Sequence, residues 1–190
     1  MVRWLPTRKA VTPSERIENP HVKRLRDAIA AERGAAEADD IIGAYPLSKA
    51  PSAGERARWA EAICGELAAR YGADGAARIR EGCACGPSKD KMLKARAARR
   101  AGGVAGLIEH LNGHGAEAWL EGGEIHIAYP RCYCSFVNKL PMPAPSSWCD
   151  CSAGYTKRLL EFALEGPARV RVVESVQRGD RRCRMVAEIR

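Results

Sequence analysis

The chain has 190 residues, with 31 Lys and Arg against 23 Asp and Glu, a formal net charge of +8. Apolar residues make up 46% of it, an ordinary globular composition that excludes a disordered chain. No apolar run approaches the roughly 18 residues of a membrane span, and Met1-Val2-Arg3-Trp4-Leu5-Pro6 lacks an apolar signal region, so a cytoplasmic protein is expected.

The length fits one domain. The expected organisation is an irregular arm over residues 1–19 and a single cysteine-rich domain over 20–190. Asn19-Pro20 caps a first helix, with Val22, Leu25 and Ile29 on one face and Gly34 at its end. Residues 35–54, with Gly43, Pro46, Pro51 and Gly54, read as a connection. Trp59, Ile63, Cys64, Leu67 and Tyr71 stand at helical spacing up to Gly72, and a short helix follows over 74–81. Leu93, Ala97, Ala101, Val104, Ile108 and Leu111 predict a long helix that bends or breaks at Gly102, Gly103 and Gly106.

From residue 115 the period becomes two. Ala116, Ala118 and Leu120, then Ile125, Ile127 and Tyr129, flank Gly122-Gly123 and predict a hairpin. A loop over 131–151 leads to a helix capped by Asp150 or Ser152, with Tyr155, Leu159, Phe162 and Ala163 buried. A second hairpin places Cys183, Met185, Ala187 and Ile189 on one strand face, after a turn at Gly179-Asp180. The fold class is α+β: helices over 20–112 pack on a four-stranded, mostly antiparallel sheet whose 115–190 half is hairpin, helix, hairpin.

Eight cysteines in a reducing compartment call for a reason other than disulfides. Six form Cys-x-Cys pairs: Cys83/Cys85, Cys132/Cys134 and Cys149/Cys151. Thiolates select soft metals, and four of them satisfy zinc or an iron–sulfur cluster. Cys132, Cys134, Cys149 and Cys151 are the first ligand set, and Cys83, Cys85 and Cys183 the second. Cys151 also stands near a helix N-terminus, which favours thiolate and suits a nucleophile. Cys64, on an apolar helix face, reads as core. Glu174 is either an acid/base group or a solvated strand residue. His21 and His126 fall on exposed faces, and His110 and His114 flank a helix end. The Lys and Arg residues are scattered, so nucleic acid is not expected as a partner.

Cys151-Ser152-Ala153-Gly154-Tyr155, the stretch from Val170 to Glu174, and Gly179-Asp180-Arg181-Arg182-Cys183-Arg184-Met185 resemble the vinyl-reductase-type small-molecule-binding domain, which is related to the Bet3-like trafficking fold. The resemblance covers roughly residues 115–190. It implies a structural zinc beside a ligand pocket, with Cys151 and Cys183 at two of the family's cysteines and Glu174 near its strand glutamate. A further family cysteine falls on Ser175, so Cys149, Cys132 or Cys134 would have to replace it. The full cysteine pattern also resembles a poorly characterised cysteine-rich bacterial family. The Gly-Asp-x-x-Cys ending is similar to that of aminothiazoline-carboxylate hydrolase-like proteins.

The expected function is a metal-binding protein, zinc or alternatively iron–sulfur, with a small-molecule pocket. The alternative is a metal- or thiolate-dependent hydrolase or lyase for a small, sulfur-containing substrate, with Cys151 and Glu174 as its catalytic groups. The expected partner is a small molecule, no membrane is involved, and a homodimer is compatible with this reading.

Overall fold

The computed structural model describes residues 19–189; residues 1–18 of the expected N-terminal arm lie outside them. These residues form two compact units: one holds the chain up to Cys83 together with Cys134–Trp148, the other Ala84–Tyr133 together with Cys149–Arg190.

Among the described residues, three helices build the first unit. α1 (Pro20–Arg33) starts as expected, with the Asn19 side chain accepting from the His21 backbone N–H at 3.0 Å. α2 (Ala35–Ala44) corrects the reading of 35–54 as a connection. Its Ala38, Ile41 and Ile42 recur at three and four residues and are buried, and that burial outweighs the loop signal of its glycine. α3 (Ala53–Gly82) opens on a capping box between Ser52 and Glu55 and is broken at Gly72, where the backbone turns non-helical.

α3 carries the core of this unit: Trp59, Ile63, Leu67 and Ile79 are fully buried. Cys64 is buried beside them, as the sequence implied. Burying Trp59 is tolerable because its indole N–H donates to the Tyr45 carbonyl at 2.9 Å. Phe136 and Trp148, from the long loop, stack at 4.9 Å, and each meets Trp59 edge-on. The buried Arg80 guanidinium lies 3.9 Å from the Trp148 ring centre and donates to the Trp148 carbonyl at 2.9 Å.

α4 (Lys89–Asn112) begins the second unit and breaks at Gly102 and Gly103, as expected. Strands β1 (Glu117–Glu121) and β2 (Glu124–Tyr129) follow, then α5 (Asp150–Leu164), β3 (Ala168–Glu174) and β4 (Cys183–Ile189). The sheet order is β1-β2-β4-β3, and every pairing is antiparallel. Gly122 and Gly123 both take positive φ, as the tight turn between β1 and β2 requires. The α+β class with a four-stranded antiparallel sheet is therefore the observed one. The sheet face bearing Ile125, Ile127 and Ala187 packs on Leu107 and Leu111 of α4 and on Leu159 and Leu160 of α5. α5 is preceded by a 3-10 turn, Ser146–Cys149, and its N-cap is Cys149 with no side-chain cap, not Asp150 or Ser152. Among the described residues no helix is long and apolar enough to cross a membrane.

Two predictions concern the first unit. Truncating Trp59 to Ala leaves a cavity and an unanswered Tyr45 carbonyl, and should cost about 3–5 kcal/mol in a urea unfolding titration. His21, expected on an exposed face, is half-buried, 4.5 Å from the Phe136 ring centre. Burial, with Arg24, Arg80 and Arg56 nearby, lowers its pKa to about 4. The unfolded chain takes up that proton near pH 6.5 and the folded chain does not, so stability should fall as pH drops from 6.5 toward 4. The urea midpoint should be lower at pH 5 than at pH 7, and His21→Phe should flatten that difference.

Candidate functional site

The eight cysteines form no disulfide. Cys83 and Cys134 belong to the first unit; Cys85, Cys132, Cys149, Cys151 and Cys183 belong to the second. The first expected ligand set thus divides, with Cys134 in one unit and its three companions in the other. Cys83 is buried, accepts from the Arg80 guanidinium at 3.1 Å and donates to the Arg80 carbonyl at 3.2 Å. Cys134 is half-buried, and its carbonyl accepts from the Val137 and Asn138 N–H groups at 3.1 and 2.9 Å. Cys85 is exposed. Cys151 takes the second position of α5 and is half-buried.

In the second unit the chemistry gathers around Ser175, at the end of β3. Ser175 is fully buried and its backbone is tied down on both sides. Its N–H donates to the Asp180 carboxylate at 2.7 Å, and its carbonyl accepts from Arg178 and Asp180 at 2.8 and 3.1 Å. Its hydroxyl accepts from the Gln177 N–H at 3.2 Å and donates to Cys149 Sγ at 3.0 Å. The same hydroxyl reaches Cys183, which also receives hydrogen bonds from the Cys132 thiol and the Val176 backbone N–H. Sulfurs from three distant segments are thereby linked, Cys149 and Cys183 through the serine and Cys132 through Cys183. A hydroxyl has a single hydrogen, so Cys149 and Cys183 share it rather than each holding it.

The donors stabilise negative charge on Cys183. The Cys132 hydrogen bond is the largest influence, and the Cys183 thiol is pulled down from 9.0 to about 7 against the opposing effects of burial and of Cys149. Among the described residues no three His, Cys, Asp or Glu side chains are grouped so as to hold a metal ion. Instead, the hydrogen bonds run in a row, Cys149, Ser175, Cys183, Cys132, with the serine between two of the sulfurs.

Glu174 is turned the other way. A register shift between Val172 and Glu174 pairs it with Arg184, on the sheet face opposite to Cys183. Arg182 and Arg184 donate to its carboxylate at 2.9 and 2.7 Å and hold it below the usual carboxylate range. It is the anionic centre of an ion-pair network. On that face His126, expected to be exposed, is buried, stacked on Trp119 at 4.8 Å and 3.1 Å from an Arg184 nitrogen.

A cleft of about 190 Å³ opens on the Cys183 side of the sheet. Tyr129 lines it and is the direct β-partner of Cys183, so the two side chains leave the sheet on the same face. α5 contributes Tyr155 and Leu159. The two arms of α4 contribute the polar wall: Asp90, Lys91 and Lys94 from the first, His110 from the second, with His114 just beyond it. Lys94 pairs with Asp90 at 2.9 Å. Burial, then His114 and Lys94, lower the pKa of His110 below the ordinary histidine value. Sequence reasoning missed this wall, because Lys91, Lys94 and the histidines stand 16 or more positions apart and meet only when α4 folds back. Of the inner row it missed Ser175 as a hydrogen-bond donor, since an isolated serine after a strand carries no local signal.

Fold and site define an α+β protein with a partly buried row of thiols beside a polar cleft. The chain belongs to the Family of unknown function (DUF6144), which it matches over residues 16–189. No curated protein and no solved structure matches it.

The donor arrangement makes one prediction about the row itself. Alkylation of Cys183 by iodoacetamide, followed by peptide mass spectrometry, should rise with a midpoint near pH 7. Cys132→Ala and Ser175→Ala each remove a donor and should move that midpoint upward.

Proposed function

We propose that the protein carries out thiolate chemistry on a small molecule, with Cys183 supplying the sulfur nucleophile. The observation that supports this best is the convergence of the Cys132 thiol, the Ser175 hydroxyl and the Val176 N–H on one sulfur. That sulfur sits on the sheet face it shares with Tyr129 of the cleft. In this reading the donors hold Cys183 as a thiolate, which attacks an electrophilic carbon. The new S–C bond forms as the leaving group departs with its electron pair, and water then releases the product, as in a hydrolase. Cys132 and Ser175 position and ionise Cys183, and Cys151 at the start of α5 is not assigned the nucleophile's role.

A second reading, zinc binding, rests on the soft-ligand chemistry of the three thiols in this row, which would have to close together around the ion. Cys132, Cys149 and Cys183 would be the ligands, and three protein ligands leave a position open for water.

One experiment addresses both. Reduced, metal-depleted protein is mixed with p-nitrophenyl acetate. The thiolate reading expects a burst of nitrophenolate, one per chain, with the acetyl group found on Cys183. Cys183→Ser should abolish the burst and Cys64→Ser should leave it intact. Absence of a burst in the unmodified chain, or a burst that survives Cys183→Ser, defeats the thiolate reading. If zinc binds one per chain, suppresses the burst, and is lost in Cys149→Ser and Cys132→Ser, the metal reading prevails.

A further inference from the structure

We propose that the cleft of the second unit binds a small organic anion, a carboxylate on a compact apolar body of about benzoate size. The inference deepens the thiolate reading, since it names the class of molecule brought to Cys183, but the binding it claims is measurable without any reaction.

Size comes first. The cleft measures about 190 Å³, somewhat more than the roughly 150 Å³ cavity that benzene fills. One ring and a carboxylate fit that space, whereas a nucleotide does not. The apolar part of the wall comes from Leu111, Ala116 and Leu159, which would face the body of such a molecule.

The polar groups define the charge. Two phenol hydroxyls, those of Tyr129 and Tyr155, border the cleft, and neither makes a hydrogen bond to a protein group among the described residues. Lys91 borders it too, and its ammonium has no ion-pair partner among the described residues. The charge of Asp90 is already committed to Lys94, at 2.9 Å. The wall is therefore left with an uncompensated cation and two O–H donors. Those groups are complementary to an acceptor carrying negative charge, and they disfavour a cation or a neutral hydrocarbon. A carboxylate has two oxygens and can accept from the ammonium and a phenol together.

The cleft also has a direction. Tyr129 stands opposite Cys183 in the β2–β4 register, so it links the cleft wall to the thiol row. Lys91 stands on the first arm of α4, among the residues of the polar wall. An anion anchored at Lys91 would extend its apolar body toward Tyr129 and the thiol row. This gives the charge a binding role and leaves the body as the part presented to sulfur.

The test is isothermal titration of the full-length, reduced chain with sodium benzoate, benzyl alcohol, acetate and inorganic phosphate. Benzoate should bind with a Kd at or below about 1 mM. Benzyl alcohol, which lacks the charge, and acetate, which lacks the body, should each bind at least about tenfold more weakly. Lys91→Ala should weaken benzoate at least about tenfold, with an unchanged circular dichroism melting curve. Tyr155→Phe, which keeps the ring and deletes the hydroxyl, should weaken it severalfold. Benzoate binding in an unmodified chain that gives no burst with p-nitrophenyl acetate removes the thiolate reading alone and leaves this proposal standing. No benzoate binding up to about 10 mM overturns the proposal. So does an unchanged affinity in Lys91→Ala, or phosphate binding as tightly as benzoate.

Discussion

A continuous helix of 24 residues would be about 36 Å long and would present one straight face to the sheet. α4 does not do this, because Gly103 takes a φ of 64° and the chain turns back on itself. The second arm returns so close to the first that a Cβ on Gly106 would lie 2.6 Å from the Ala98 carbonyl oxygen. Only glycine fits there, and the close approach is what brings Lys91 and His110 to the walls of a single cleft. The first arm is then held down by α5. Arg96 donates to the Phe162 carbonyl at 3.0 Å with its guanidinium over the Phe162 ring, and Arg100 pairs with Glu165 at 2.7 Å. The backbone break and these arginine contacts together set the width of the cleft.

Ser175 plays the matching part on the sheet side. A buried hydroxyl is costly unless its hydrogen bonds are made, and this one accepts from Gln177 while donating to sulfur. The turn after β3 fixes it by satisfying both its backbone groups with Asp180 and Arg178. Arg178 in turn reaches Asp150 at the start of α5 at 2.8 Å. The thiol row is therefore held by a rigid turn and a helix start, so its donors are in place before any ligand arrives. Preorganisation of this kind is what makes fixed dipoles effective around a charge.

Much of the architecture was legible from periodicity. The change from helical spacing to alternation near residue 115, the Gly122-Gly123 turn and the break at Gly102 and Gly103 all sit where the pattern of side chains put them. α2 was not legible, because its glycine and the prolines after it looked like a loop while only two of its apolar residues, Ile41 and Ile42, are large. The site was legible only in residue type. That cysteines are candidates follows from their number, but which of them meet is a tertiary fact. Adjacent members of a Cys-x-Cys pair can lie in different units, as Cys132 and Cys134 do. Cys183 and Cys132 join because Tyr129, three residues before Cys132, is the β-partner of Cys183, and register of that kind leaves no mark in a local window. Glu174 shows the converse. Strand alternation alone would put it on a definite face, but the irregularity at Val172 and Glu174 re-aims it toward two arginines.

The chain path has a consequence for how the protein is made. Residues Cys134–Trp148 complete the first unit although they are encoded inside the second. The second unit places its last strand, β4, between β2 and β3. A nascent chain emerging from the ribosome would therefore expose α1 to α3 without their Phe136 and Trp148 partners through the synthesis of some fifty further residues. It would also hold β1 and β2 as an edge-exposed hairpin until β4 is made, more than fifty residues later. Long waits of this sort leave apolar surface and strand edges open to other chains. Chaperone engagement during translation, rather than after it, is the stage at which this topology is most exposed.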